Sequence, residues 1–418
     1  MREGQIEVLI VGAGPVGLWT ALALAEAGVE VMIIDREIRT TARSYACALH
    51  PHTLELLAKR GLAETVLKLG RRVETVAFYE GERRCAEVRL SELGGQFPFL
   101  LILPQSAFER ALEERLRQAG VKVRWHHRFD SLEQEDDAVA ATVEELTGTS
   151  TGYSVPHWEL VVKDRSVVRA QFLVGTDGAN SAVRKALGID FERASKPDSF
   201  AAYEFEPEQE AADEVRVVLA PDSTNVLWPL PGGKNRWTFQ IQKAEAPAEF
   251  PEKERRGVRV VRPAVDERIR QYVEKVAQQR APWFKSNVKE IAWCTEVSFE
   301  PRMVKAFGNK RCWLAGDAAH QAGPVGVQSM NVGFVEAERL AKVLKQVLHA
   351  GASMELMAGY NQEATAEWRR LLGISGGWTA RDNSEAWARE HLSRIVPCLP
   401  ASGKELSRLA GQLRLDLE

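Results

Sequence analysis

Apolar positions in the first 35 residues fall into three blocks. Val8-Leu9-Ile10-Val11 is a continuous apolar run, Pro15 to Ala27 is rich in alanine and leucine, and Val29 to Ile34 is a second run closed by Asp35. Such runs suit strands buried on both faces, and a helix between them is the crossover that parallel strands require. The expected unit is βαβ. A helical pattern follows from His50 to Leu69, then alternation at Val73 to Tyr79 and Ala86 to Leu90, a helix at Gln105 to Gln118, and a short strand at Val121 to Trp125. Period-two alternation from Arg128 to Val168 predicts a β-meander, and Gln171 to Val174 a further buried strand. Between 190 and 298, Phe200 to Phe205, Val215 to Leu219, Asn225 to Leu230 and Trp237 to Ile241 read as strands of a second sheet. Cys312 to Ala315 is a last core strand, and Met330 to Leu415 reads as largely helical.

Composition narrows the functional classes. The 418 residues are 45% hydrophobic and 27% charged, which fits a folded chain of two to three units. With 55 Lys and Arg against 58 Asp and Glu the formal charge is −3, so nucleic acid is not an expected partner. Five scattered cysteines and eight histidines form no metal-ligand spacing, no metal is expected, and a reducing, cytoplasmic location is. Val8 to Ala25 carries no charge, but its three glycines and unbiased flanks read as a buried strand and helix rather than a membrane span.

The strongest chemical signal is Gly12-Ala13-Gly14-Pro15-Val16-Gly17, a GxGxxG set between the first strand and the first helix. Gly12 permits the tight turn, Gly14 lets a pyrophosphate approach the backbone, Gly17 lets helix and strand pack closely, and the helix N-terminus favours an anion. Asp35, at the end of the second strand, is placed to accept from a ribose hydroxyl. The fingerprint alone leaves the dinucleotide open.

Two further segments carry a resemblance. Gly175-Thr176-Asp177-Gly178 through Arg184 and Gly316-Asp317-Ala318-Ala319-His320, followed by Pro324-Val325-Gly326 and Met330-Asn331, are similar to the Asp-Gly and Gly-Asp motifs of single-component FAD-dependent aromatic hydroxylases, the para-hydroxybenzoate hydroxylase group. Leu103-Pro104-Gln105 and Arg43-Ser44-Tyr45 with Leu49 to Glu55 resemble smaller segments of that family, whereas Val327 and Ser329 stand where relatives commonly carry glycine.

The resemblance implies noncovalent FAD held by Gly12, Gly14, Pro15, Val16, Gly17, Asp35, Arg36, Arg43, Gln105, Asp177, Gly316, Asp317, Pro324, Gly326, Met330 and Asn331. It implies transient NADH or NADPH, dioxygen, and hydroxylation of a small aromatic, phenolic or polyketide-like substrate through a flavin C4a-hydroperoxide. Trp228, in the strand Val226 to Gly233, is expected on the substrate wall, with Tyr203, Gln240 and Tyr45 as further pocket residues; no residue is singled out as the catalytic base. His320 is expected to be structural.

The implied fold is α/β: a Rossmann-like, glutathione-reductase-like FAD domain with a β-meander (1–72, 101–189 and 299–370), interlaced with a mixed or antiparallel substrate domain (73–100 and 190–298) and followed by a helical segment (371–418). A monomer or homodimer is expected. The alternatives are a flavin-dependent halogenase, whose WxWxIP signature is broken here because Val226 stands at the first tryptophan position, and a geranylgeranyl-reductase-like flavoprotein.

Overall fold

The computed structural model describes residues 5–39, 48–151, 157–208, 213–242 and 267–417. Two large sheets organise it. The first has eight strands, with Ile6–Val11 at its centre, parallel to Val31–Ile34 on one side and to the end of His157–Gly175 on the other. Cys312–Leu314 extends this parallel core beyond His157–Gly175. The helix Pro15–Glu26 is apolar all round, as a helix enclosed on every side must be. It packs on the sheet beneath the helices Gln105–Gln118 and Gln328–His349, with Trp19 and Phe108 both against Phe334 at ring distances of 5.3 and 5.6 Å.

The expected meander is present as His127–Gln134, Val139–Thr151 and His157–Gly175. The separate strand expected at Gln171 to Val174 is the far end of the 19-residue strand His157–Gly175, which leaves the antiparallel meander and enters the parallel core without a turn. One strand thus serves both arrangements. The single helix expected over His50 to Leu69 is two, Pro51–Lys59 and Ala63–Leu67, broken where Gly61 takes φ +70°.

The second sheet has seven strands in the order Val288–Phe299, Asp198–Pro207, Asn235–Ile241, Ser223–Pro229, Glu214–Ala220, Thr75–Glu80 and Arg83–Arg89. All pairs are antiparallel except Glu214–Ala220 with Thr75–Glu80, which ties the early and late parts of the chain together. The helix Glu267–Arg280 and the strand Val288–Phe299 escape the hydropathy pattern. Along Asn235–Ile241 the side chains of Trp237, Phe239 and Ile241 pack in the cluster that includes Ile269 and Val273 of that helix, so period two places Arg236, Thr238 and Gln240 on the other face. The end expected to be helical also carries a strand pair, Trp378–Ala380 with Leu415–Leu417. Its Trp387, Leu399, Leu406 and Leu409 share a core with Trp228, Val325 and Val327. Among the described residues no helix is long and apolar enough to cross a membrane.

Candidate cofactor crevice

The strand Ile6–Val11 ends in a turn that only glycine permits. Gly12 has φ +107°, and a Cβ there would lie 2.4 Å from the Thr176 carbonyl oxygen; one on Gly17 would lie 2.0 Å from the Gly12 carbonyl oxygen. Thr176 Oγ1 donates to the carbonyls of Val11 and Gly12 at 3.0 and 2.9 Å, which locks the ends of two parallel strands together. Gly14 is different: a Cβ there meets nothing within 4 Å, because the position faces open space. Helix Pro15–Glu26 starts at this point with no side-chain cap, so the amides of Val16 and Gly17 and the positive end of the helix dipole face that space.

Asp35 fixes the rim. Its carboxylate accepts from the Ala13 amide at 2.6 Å and the Glu37 amide at 2.8 Å, while burial, the largest influence, raises its pKa. With Gly12, Gly14, exposed Arg36, Arg128 and Asp177 it lines a cavity of about 260 Å³. A second cavity, of about 400 Å³, is lined by Gly14, Gln105, Phe299, Asp317, Pro324 and Met330. Gly14, Thr176 and Gly178 border both, so one crevice runs from Asp35 to Met330.

Asp317, an exposed residue at the turn after Cys312–Leu314, lines the second cavity and makes no hydrogen bond or ion pair among the described residues. Burial, the largest influence, raises its pKa; His320 opposes this and Glu336 adds to it. An open glycine, an uncapped helix start and an unpartnered carboxylate at the far end fit a long ligand with a diphosphate and a polyol, which are the groups FAD presents between its two ring systems.

Other expected contacts are placed differently. The Asp177 carboxylate accepts from Ser181 Oγ at 2.6 Å and from the Ala182 and Val183 amides at 2.6 and 3.2 Å. It borders the crevice but serves the start of the helix Ala182–Ala186, as an aspartate before a helix does. Asn331, 2% exposed, accepts from the His50 amide and Thr53 Oγ1, both at 2.8 Å, and donates to the carbonyls of Ala48 and Val327 at 3.0 and 2.8 Å. Four hydrogen bonds saturate a side-chain amide, so Asn331 positions the loop and has no capacity left for a ligand. Gly326 faces the carbonyl oxygen of Pro397, 2.4 Å from a built Cβ, so the C-terminal segment is what requires a glycine there. Gln105 donates to Glu109 at 2.8 Å on the crevice wall. Arg43 and Tyr45 lie outside the described residues.

On the second sheet, Trp228 sits on the crevice-facing side beside Pro324. Tyr203 does not. It is fully buried on the opposite face, with Phe239 at a ring distance of 6.2 Å, because the register that pairs it with Trp237 and Cys294 points it away from the crevice. Gln240 is on the nearer face but at the sheet's end, where it bonds Asp198 at 2.8 Å and the Thr224 amide at 2.7 Å and borders another cavity.

Two residues that the motifs pass over shape the site. His50, 2% exposed, donates from Nε2 to the Gly326 carbonyl at 2.8 Å, and burial pushes its pKa down to about 4. The folded state therefore prefers the neutral ring. Its contribution to stability is complete above the ordinary value of 6.5 and is lost as pH falls from there towards about 4, where the unfolded chain binds a proton that the folded one does not. The melting temperature is expected to drop across that window, and His50→Gln to flatten the drop; parallel curves in a pH series of thermal melts would refute this.

Behind Asp317, His320 Nε2 and Glu336 Oε2 are 2.7 Å apart, both side chains fully buried. Trp368 Nε1 donates to the other Glu336 oxygen, and its ring stacks on His320 at 3.7 Å. The sequence assigned His320 a structural part, and this network is its form. Val327, one of the departures from the glycine pattern, takes φ +51° as the residue before the helix Gln328–His349, a costly conformation for a β-branched side chain. Ser329, the other, accepts from the Ala322 amide at 2.8 Å.

The arrangement is that of a flavoprotein, with a nucleotide-binding parallel sheet facing a second sheet across the crevice. A protein-family profile described as FAD binding domain matches residues 5–373. The chain belongs to this family, the single-component FAD-dependent aromatic hydroxylases. It is 30% identical over 376 residues to the 6-methylpretetramide 4-monooxygenase of Streptomyces rimosus, covering 90% of this chain and 62% of that protein. It is 27% identical over 369 residues to the para-nitrophenol 4-monooxygenase of Pseudomonas sp. strain WBC-3, covering 85% and 81%. This chain therefore spans less than two thirds of the first of these relatives. The crystal structure of a p-nitrophenol 4-monooxygenase from Pseudomonas putida superposes with a TM-score of 0.73 at 21% identity, over 98% of this chain and 94% of that one, and so shares its fold.

Proposed function

We propose that this chain is an FAD-dependent monooxygenase that hydroxylates a small aromatic molecule, using NADH or NADPH and dioxygen. The observation that carries the reading is the continuous crevice with Gly14 open at its middle, Asp35 at one end and Asp317 near the other. Gly12, Gly14 and the first amides of helix Pro15–Glu26 would hold the diphosphate, Asp35 the adenosine ribose, and Asp317 with Gln105 the polyol. FAD, when bound, supplies the redox chemistry that reduces dioxygen and delivers one oxygen atom.

The chain's own residues do the rest. Helix Gln328–His349 has no side-chain cap, so its start directs unpaired amides and a positive dipole at the head of the crevice, where negative charge is stabilised. Val297, Phe299, Pro324 and Met330 give that end an apolar lining that limits water around a reactive centre. The names of the two sequence relatives given above, both monooxygenases, favour oxygen insertion over the halogenase and reductase alternatives.

The decisive experiment is NAD(P)H oxidation by the FAD-loaded protein with and without phenols, followed by product mass. Substrate-stimulated oxygen uptake and one added oxygen atom are expected; a yellow protein that no aromatic stimulates would overturn the reading. Asp317→Asn tests the cofactor assignment separately. The variant is expected to fold as the parent does yet bind FAD about tenfold more weakly. Unchanged FAD affinity in a fluorescence titration would refute the assignment.

A further inference from the structure

The crevice-facing side of the second sheet holds a recess of about 30 Å³, lined by Phe200, Ala202, Trp228, Arg236, Thr238 and Thr295 among others. It shares Val297, Phe299 and Pro324 with the main cavity. Its centre follows from strand register. Ala202 lies opposite Thr238 on one neighbouring strand and opposite Thr295 on the other, so two hydroxyl-bearing side chains flank the smallest side chain of the three.

Thr295 is 2% exposed and its Oγ1 has no hydrogen-bond partner among the described residues. Thr238, 7% exposed, borders the recess from the neighbouring strand. A buried hydroxyl without a partner is unfavourable, and one bordering a cavity, with a second hydroxyl across the recess, is a site that lacks its ligand's polar atom. The recess has about the volume of a single water or hydroxyl oxygen, too small for a ring, which must remain in the main cavity.

Charge narrows the choice. Arg236, 3% exposed, donates from Nε to Glu204 at 3.0 Å and makes a second bond to the same carboxylate, and its guanidinium lies 5.5 Å from the Trp293 ring. The cation is already matched by an anion. A carboxylate on the substrate would bring an uncompensated negative charge into this apolar setting, whereas a neutral hydroxyl or carbonyl would satisfy the threonines.

We propose that Thr238 and Thr295 receive a hydroxyl or carbonyl oxygen of the aromatic substrate, and that the recess selects uncharged oxygenated rings over carboxylated ones. This rests on the monooxygenase reading for the word substrate, but its test reads binding alone. The FAD-loaded protein is titrated with 1-naphthol, naphthalene and 1-naphthoate, following the flavin absorbance, and the cofactor-free protein is titrated following tryptophan emission. The expected order of affinity is 1-naphthol, then naphthalene, then 1-naphthoate. Thr295→Val and Thr238→Val, which keep side-chain shape, are each expected to weaken 1-naphthol about 3- to 10-fold and to leave naphthalene within about twofold. Thr295→Ser, which keeps the hydroxyl, is expected to retain most of the 1-naphthol affinity.

Equal weakening of naphthalene and 1-naphthol, 1-naphthoate binding as tightly as 1-naphthol, or no response to any of the three would overturn the proposal. Selective binding without oxygen uptake would instead remove the monooxygenase reading and leave the recess standing.

Discussion

Gly14→Val is expected to yield a folded protein that has lost its colour, while Gly17→Ala is expected to yield one that unfolds early. The two glycines are three residues apart and belong to one motif, yet their surroundings differ. At Gly14, φ is −70° and a built Cβ meets nothing, so valine fits the backbone and costs less than about 1 kcal/mol as a poorer helix start. Its side chain fills the space proposed for the diphosphate, and FAD affinity is expected to fall about 100-fold, or about 2.8 kcal/mol. At Gly17 the added methyl would lie 2.0 Å from the Gly12 carbonyl oxygen and 2.6 Å from Thr176 Oγ1, and neither can withdraw without parting helix from strand. A loss of about 3 kcal/mol is expected in urea unfolding. Equal losses of stability in the two variants would show that Gly14 serves packing and would remove the main support for a diphosphate there.

Glu336→Leu is expected to be the most destabilising conservative-volume change near the crevice, at about 3 to 5 kcal/mol. Glu336 is fully buried and accepts from Trp368 and His320, with the Gly316 amide at 3.4 Å. Leucine leaves the indole N–H and the His320 ring, itself fully buried, without an acceptor, and each buried group left unpaired adds a desolvation cost. Glu336→Gln retains an acceptor and is expected to lose about half as much. Because the network sits directly behind the Gly316-Asp317 turn, both variants should also bind FAD more weakly than their stability alone implies. A urea midpoint for Glu336→Leu within experimental error of the parent would show that the network carries no weight.

The legibility of these features in the sequence follows the distance over which they are encoded. Gly12, Gly14, Gly17 and Asp35 act within one βαβ unit, so spacing alone brings them to one place, and Asp317 lies in a motif whose neighbours are also its structural context. Tyr203 has the residue type of a pocket wall, but strand register decides its face, and a shift of one residue reverses it. Asn331 and Asp177 have the residue types a ligand contact needs, but their hydrogen bonds are spent within the protein, and for Asn331 three of the four partners stand some 280 positions away. The same separation hid His50, whose acceptor Gly326 is 276 residues on. Thr238 and Thr295 are ordinary strand residues until pairing sets them on either side of Ala202. The helix Glu267–Arg280 is hidden in the sequence because its polar, charge-rich composition resembles a spacer.

The residues after 373, beyond the family match, brace the loop at the head of the crevice. The carbonyls of Pro397 and Leu399 press on Gly326, Gln328 donates to Leu399 at 3.4 Å, and Trp387 meets Phe78 of the second sheet at 6.0 Å. A chain trimmed to its recognisable portion would lose that buttress, baring the apolar cluster around Val325 and Val327 and leaving the left-handed turn at Val327 to the hydrogen bond from Asn331 alone. The tail is a keystone, and engineering that treats it as dispensable would dismantle the mouth of the crevice from behind.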